Sequence, residues 1–287
     1  MRRAVGLIAI LLIAILAIAG RHVWTRRHPT PDTRIAYGTD PSQHADLWLP
    51  KGKGPFPVVV LVHGGCWQSS VDAAFQLNRV AGDLRKRGIA VWNVEYRGVN
   101  QAAFPATFTD VAAGADALRD TAKHYPLDLS HVVAVGHSAG AHLALWLAAR
   151  RAIARSSPLH KDDPLALVAA IGLGAPPDLA ADATPGIIPC GPQAIRQLVG
   201  EPSARRPDVY ADTSPARLPQ PSIPIILVSG GADRVVPPTL TEAYVRRVGG
   251  RPKHVVVPGA SHGTLVLPGN AGWTPALTAI EDIVHPR

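Results

Sequence analysis

Residues 133–144, Val-Ala-Val-Gly-His-Ser-Ala-Gly-Ala-His-Leu-Ala, constrain the fold more than any other stretch: an apolar run stops at Gly-x-Ser-x-Gly and resumes as a helix. In the tightest form of such a strand–turn–helix the serine takes a sparsely allowed backbone conformation. The residues two positions away on either side must then be small, because strand and helix nearly touch. Gly136 and Gly140 fill those positions around Ser138. An ordinary strand-to-helix turn with a serine cap has the same five-residue pattern. The rest of the chain must discriminate between the two readings.

The chain of 287 residues is long enough for one large α/β domain or two small ones, with an ample core. Along it, apolar runs alternate with helical patterns. Asp46–Pro50 alternates as an early strand, and Pro57–Val62 is β-branched without a polar residue, which suits a parallel strand covered on both faces. A helix is expected over 71–87, a strand over 89–94, and a helix capped by Thr109 or Asp110 and ending before Pro126. Next come a strand over 131–135, a helix over 138–151, and strands over 165–173, 224–229 and 255–257. Helices near 240–248 and 275–284 complete the series. This alternation implies a mostly parallel sheet wound on both faces. The exception is 175–221, rich in proline, with no strand-like run and one short helical piece near 193–199. An irregular insertion of that length reads as a lid or binding wall.

Residues Ala4–Gly20 are uninterruptedly apolar behind Met1-Arg2-Arg3. The run is short for a membrane span of about 20 residues, yet longer than the roughly 7–15 of a signal-peptide core. Ala17-Ile18-Ala19 resembles a cleavage site, whereas Arg21, Arg26 and Arg27 suit an uncleaved anchor. The organisation read from the chain is a membrane anchor or signal segment over 1–20, a tether over 21–32, and a catalytic domain over 33–287. That domain is placed on the extracytoplasmic side. The net charge of +8 draws on five arginines that flank the apolar segment, and no basic block with interleaved aromatics occurs. The charge therefore points to membrane proximity and not to nucleic acid.

Cys66 and Cys190 are the two cysteines, without metal-ligand spacing. They allow one disulfide in an exported domain; two separate buried thiols are the other reading.

An acid, a base and an oxyanion hole are sought at strand ends. His262 lies in Gly259-Ala-Ser-His-Gly263 directly after the last strand, where a loop can bring a general base to the serine hydroxyl. Asp233, in Gly230-Gly-Ala-Asp-Arg-Val-Val-Pro237, precedes it with room for one helix and one strand between them. The order Ser138, Asp233, His262 is the α/β-hydrolase order. Asp178 is the rival acid, although Pro176-Pro177-Asp178 reads as the turn into the insertion. His63-Gly64-Gly65-Cys66-Trp67 follows the Val58–Val62 strand. There the N–H groups of Gly64 and Gly65, with that of Ala139, form a candidate oxyanion hole. His63, Cys66, Trp67 and His137 are candidate pocket residues. Glu95-Tyr96-Arg97-Gly98 reads as a structural ion-pair corner, and His137 and His142 as packing or hydrogen-bonding residues beside the turn.

With these residues located, the chain resembles the α/β-hydrolase superfamily over roughly 33–287. More narrowly, it resembles the esterase and arylformamidase group that carries His-Gly-Gly-x-Trp and Gly-His-Ser-Ala-Gly-Ala-His, here His63–Trp67 and Gly136–His142. It is similar to BD-FAE-type carboxylesterases. The stretch from Asp40-Pro41 through Asp46–Pro50 is similar to that group's opening strand, and Pro207–Pro215 to the segment before its acid-bearing strand. The resemblance implies an α/β-hydrolase fold: a mostly parallel central sheet with helices on both faces and a Pro-rich, lid-like insertion. It also implies a serine carboxylesterase working through an acyl-enzyme with Ser138, Asp233 and His262. Neither metal nor organic cofactor is expected, and the partners are a small ester or amide and the membrane. Cleavage of N-formyl aromatic amides, a peptidase, and a non-catalytic binding protein of the same fold are the alternatives.

Overall fold

The computed structural model describes residues 29–68 and 73–285, so the apolar segment Ala4–Gly20 and most of the tether lie outside the described residues. Among the described residues no helix is long and apolar enough to cross a membrane. The end of the expected tether, 29–32, packs on the body instead. Asp32 N–H donates to Leu47 O at 2.9 Å, and the Asp32 carboxylate accepts from Leu49 N–H at 2.8 Å, so a polar residue extends the sheet edge.

The strands are β1 (Thr33–Ala36), β2 (His44–Trp48), β3 (Phe56–Val62), β4 (Ala90–Val94), β5 (Leu127–His137), β6 (Ala169–Leu173), β7 (Ile225–Gly230) and β8 (Lys253–Val257). They form one sheet in the order β1-β2-β4-β3-β5-β6-β7-β8. β1–β2 and β2–β4 are antiparallel and every other pair is parallel. The helices are α1 (Asn78–Lys86), α2 (Ala106–Asp116), α3 (Leu118–Thr121), α4 (Ala139–Ala149), α5 (Leu179–Asp182), α6 (Gly191–Val199), α7 (Pro238–Arg247) and α8 (Thr274–Val284).

The β-branched runs are explained by cover on both sides. Val58, Val60 and Val62 of β3 pack with Phe108 and Val111 of α2, Leu143 and Trp146 of α4, and Ile195 and Leu198 of α6. Val59 and Leu61 face the opposite way, into a second core with Val80 and Leu84 of α1 and Ala276 and Ile280 of α8. A strand buried on both faces has no polar alternate, which is the signature of a central parallel strand.

Four local expectations are corrected. The Ala73–Leu77 turn is a 3-10 helix that leads into α1, not part of one long helix. Thr109 and Asp110 lie inside α2 and cap nothing; the Asp110 carboxylate is held instead by Arg97 Nε at 2.7 Å and Gln43 Nε2 at 2.8 Å. The strand expected from Leu165 begins only at Ala169, because Leu165 and Leu167 pack into the core without joining the ladder. The insertion holds the short α5 as well as α6, and Asp178 caps α5 by accepting from Ala181 N–H.

Candidate active site

β5 delivers the sharp turn. Ser138 has φ 56° and ψ −126°, a region that non-glycine residues rarely occupy, and α4 starts at the next residue. The flanking glycines are required by contact: a Cβ on Gly140 would lie 2.1 Å from Val62 O, and one on Gly136 would lie 2.0 Å from Gly140 O. Ser138 N–H donates to Leu173 O at 2.8 Å, which fastens the turn to the end of β6.

Asp233 follows β7 and His262 follows β8, and the two meet there: His262 Nδ1–H donates to Asp233 Oδ2 at 2.7 Å. The other carboxylate oxygen accepts from Val235 N–H at 2.8 Å and Val236 N–H at 2.9 Å. Burial works to raise the Asp233 pKa, but the bond from His262 and those from the Val236 and Val235 amides outweigh it. The carboxyl is held below its usual range. With Nδ1 donating, Nε2 is left free to accept in the neutral ring. Ser138 Oγ makes no hydrogen bond to His262 among the described residues. The two are brought to the same rim by His137, whose Nε2–H donates to His262 O at 3.1 Å and whose ring lies 4.4 Å from the His262 ring. Burial, reinforced by the nearby His262 charge, lowers the His137 pKa to about 4.

Gly174, just past β6, has φ 56°, and a Cβ there would lie 2.9 Å from the His262 ring and 3.2 Å from Asp233 Oδ2. No motif in the sequence points to this glycine. A glycine directly after an apolar strand was the signal that could have found it. Asp178 is not at this site: its carboxylate pairs with Arg247 at 3.0 Å.

The loop 63–67 runs against the turn. A Cβ on Gly64 would lie 2.9 Å from His137 O and 3.0 Å from Ser138 Cβ, so only glycine lets the two backbones come together. Among the described residues the N–H groups of Gly64, Gly65 and Ala139 have no hydrogen-bond acceptor. Beneath the loop, His63 Nδ1 lies 2.8 Å from Gly64 O and its Nε2 lies 3.0 Å from Glu95 Oε1, which also accepts from Tyr96 N–H at 3.3 Å. Burial opposes the Glu95 charge, yet the bond from His63 and those from the Ala74 and Tyr96 amides hold its pKa down. Tyr96 stacks on His63 at 4.2 Å and donates to His63 O at 2.9 Å.

The expectation that His63 and Trp67 line a pocket is corrected: both are fully buried and brace the loop from below. His137 is nearly as buried, and its ring is spent on the His262 backbone. Cys66 is bonded to Cys190 of the insertion. The insertion is further fixed by Arg206, which grips Asp212 through Nε and Nη2, donates to Val199 O and Val209 O, and lies 4.1 Å over the Phe104 ring. Among the described residues no group of three or more His, Cys, Asp or Glu could hold a metal ion.

The sheet order, the crossovers and a strained serine between strand and helix define an α/β-hydrolase fold. The chain belongs to the BD-FAE family, whose model matches residues 45–247. It is 27% identical to the esterase LipC of Mycobacterium tuberculosis over 248 residues, 82% of this chain and 60% of that protein. Over 111 residues, 38% of this chain and 23% of the relative, it is 34% identical to a probable isoprenylcysteine alpha-carbonyl methylesterase of Arabidopsis thaliana. The chain thus spans less than two thirds of the length of these relatives, 60% of the first and 23% of the second. Among solved structures, a truncated carbohydrate esterase from gut microbiota superposes with a TM-score of 0.71 at 22% identity, covering 89% of this chain and 97% of that one. Apo esterase 2 of Thermogutta terrifontis gives 0.70 at 20% identity, covering 91% and 98%. At such identities these two likenesses concern the fold.

Proposed function

We propose that the chain hydrolyses carboxylic esters of small molecules through an acyl-enzyme on Ser138. The observation that carries this reading is the closed Asp233–His262 pair on the rim that also presents a serine at φ 56°. Relatives named as esterases support it. His262 takes the serine proton at Nε2, through a hydroxyl–imidazole bond that forms when substrate fills the site. Asp233 stays ionised, holds the tautomer and stabilises the imidazolium. The oxyanion rests on the N–H groups of Gly64, Gly65 and Ala139, which need no reorganisation because they have no acceptor among the described residues. The imidazolium gives the serine proton to the departing alcohol as the acyl-enzyme forms; water activated by His262 then releases the acid, and the insertion forms the wall that selects the acyl and leaving groups.

Replacing Ser138 with Ala is expected to abolish turnover of p-nitrophenyl butyrate and labelling by a fluorophosphonate, with an unchanged melting curve. Undiminished turnover in that variant would overturn the assignment. A panel of acyl chain lengths, acetylated sugars and N-formylkynurenine assigns the substrate class.

The same reading places the domain outside the cytoplasm, behind the apolar N-terminal run. The support is the Cys66–Cys190 bond, since disulfides persist in oxidising compartments. Protease accessibility of the domain in intact cells and spheroplasts tests this; protection in spheroplasts counts against it.

A further inference from the structure

Cys66 and Trp67 are consecutive non-glycine residues at φ 55° and 56°, directly after Gly64-Gly65. A residue with a Cβ is disfavoured in this left-handed region, so two in a row persist only where the surroundings hold them. Both are tied to the same distant segment. Cys66 is bonded to Cys190. Trp67 donates its indole N–H to His142 Nδ1 at 3.2 Å, and His142 Nε2–H donates to Thr213 O at 2.8 Å.

The chemistry of this relay is restrictive. An indole only donates and a carbonyl only accepts, so the residue between them must accept at one end and donate at the other. A neutral imidazole protonated at Nε2 does both, and burial keeps His142 neutral by lowering its pKa to about 4. Trp67, His142 and Thr213 are all fully buried, so water cannot substitute for a lost partner without reorganisation. His142 sits on α4 four residues after Ser138, and its ring meets the Trp67 ring edge-on at 5.6 Å. One side chain therefore joins the helix behind the serine, the loop 63–67 and the insertion.

We propose that His142 is a positioning residue: through Trp67 it fixes the Gly64–Gly65 backbone in the geometry that receives the oxyanion, so the insertion supports the chemical step as well as substrate choice. This rests on the ester-hydrolysis reading above. Because the oxyanion forms only in the transition state, loosening the relay lowers kcat and leaves KM nearly unchanged.

The test compares Trp67→Phe, His142→Leu and His142→Gln by kcat and KM on p-nitrophenyl acetate, with melting curves for each. Removing a whole oxyanion donor costs about 10²–10³-fold in kcat. Trp67→Phe deletes one N–H while keeping a ring, and a displaced donor is expected to cost on the order of 10–100-fold with KM within about 2-fold. His142→Leu should match it, and the double variant should be no slower than either alone, since both break one path. His142→Gln, which keeps an acceptor and a donor, should recover most of the rate. Should His142→Leu fail to fold, Trp67→Phe decides. An active wild type whose Trp67→Phe variant is folded with unaltered kcat, or altered only in KM, overturns this proposal alone. A wild type that neither turns over ester nor takes up a fluorophosphonate overturns the esterase reading and this proposal with it.

Discussion

Gly174 stands where a side chain would press on His262: a Cβ at this position, at φ 56°, would fall 2.9 Å from the imidazole and 3.2 Å from Asp233 Oδ2. Gly174→Ala is therefore expected to displace the ring from its carboxylate. A misplacement of about 1 Å near the chemistry costs on the order of 10²-fold, and the left-handed backbone adds roughly 1–2 kcal/mol of destabilisation. Steady-state kinetics and a melting curve of the variant check both. A rate within twofold of wild type would show that the ring has room to spare.

His137 and His142 set an acid limit on stability. Burial lowers both pKa values to about 4, with the His262 charge adding to the effect at His137, against 6.5 in an unfolded chain. Between those values the unfolded state binds more protons than the folded one, so stability is complete above pH 6.5 and is lost as pH falls towards 4. Urea midpoints measured from pH 7 to 4 should decline over that window, and the decline should be shallower in His142→Gln. Parallel slopes in the two proteins would remove His142 from the account.

Asp182 acts with the opposite sign. Burial first, and then the neighbouring Asp178 charge, raises its pKa from 3.8 to about 8, and its Oδ2 has no hydrogen-bond partner among the described residues. The folded state binds the extra proton between those values, so this group lowers stability progressively as pH rises through them. Asp182→Asn is predicted to stabilise the protein at pH 8, by about 1–3 kcal/mol, and to give no gain at pH 4. Equal effects at the two pH values would count against it.

Cys66→Ser with Cys190→Ser should lower stability by roughly 2–5 kcal/mol, since the bond closes a long loop. The unreduced, denatured wild type should show no titratable thiol, and two after reduction. Two thiols before reduction would show that the bond is not formed in the isolated protein.

What could be read from residue types follows from how each residue is used. Val58–Val62 and the Gly136–Gly140 turn were legible because burial on both faces and close backbone contact leave few alternatives in composition. β1 escaped notice because its four residues alternate between half-buried and exposed at the sheet edge, a pattern shared with many loops. Asp110 has the look of a cap in the sequence, but its carboxylate serves Arg97, a tertiary partner that local sequence does not reveal. The Trp67–His142 bond joins residues 75 apart, and His63–Glu95 joins residues 32 apart. Each depends on strands β3, β4 and β5 lying side by side. For the same reason His63 and Trp67 looked like pocket walls: the motif places them beside the serine, while the packing turns both inward.

The bond between Cys66 and Cys190 also divides the site topologically. It closes a covalent ring containing β4, β5, β6 and Ser138, with the Gly64–Gly65 backbone at its knot, while Asp233 and His262 lie on chain outside the ring. Cutting the bond therefore slackens one half of the constellation and leaves the Asp233–His262 pair seated on β7 and β8. The half that carries Ser138 and the loop 63–67 is thus tied covalently to the insertion, whereas the half that carries Asp233 and His262 is held by the pairing of β7 with β6 and β8.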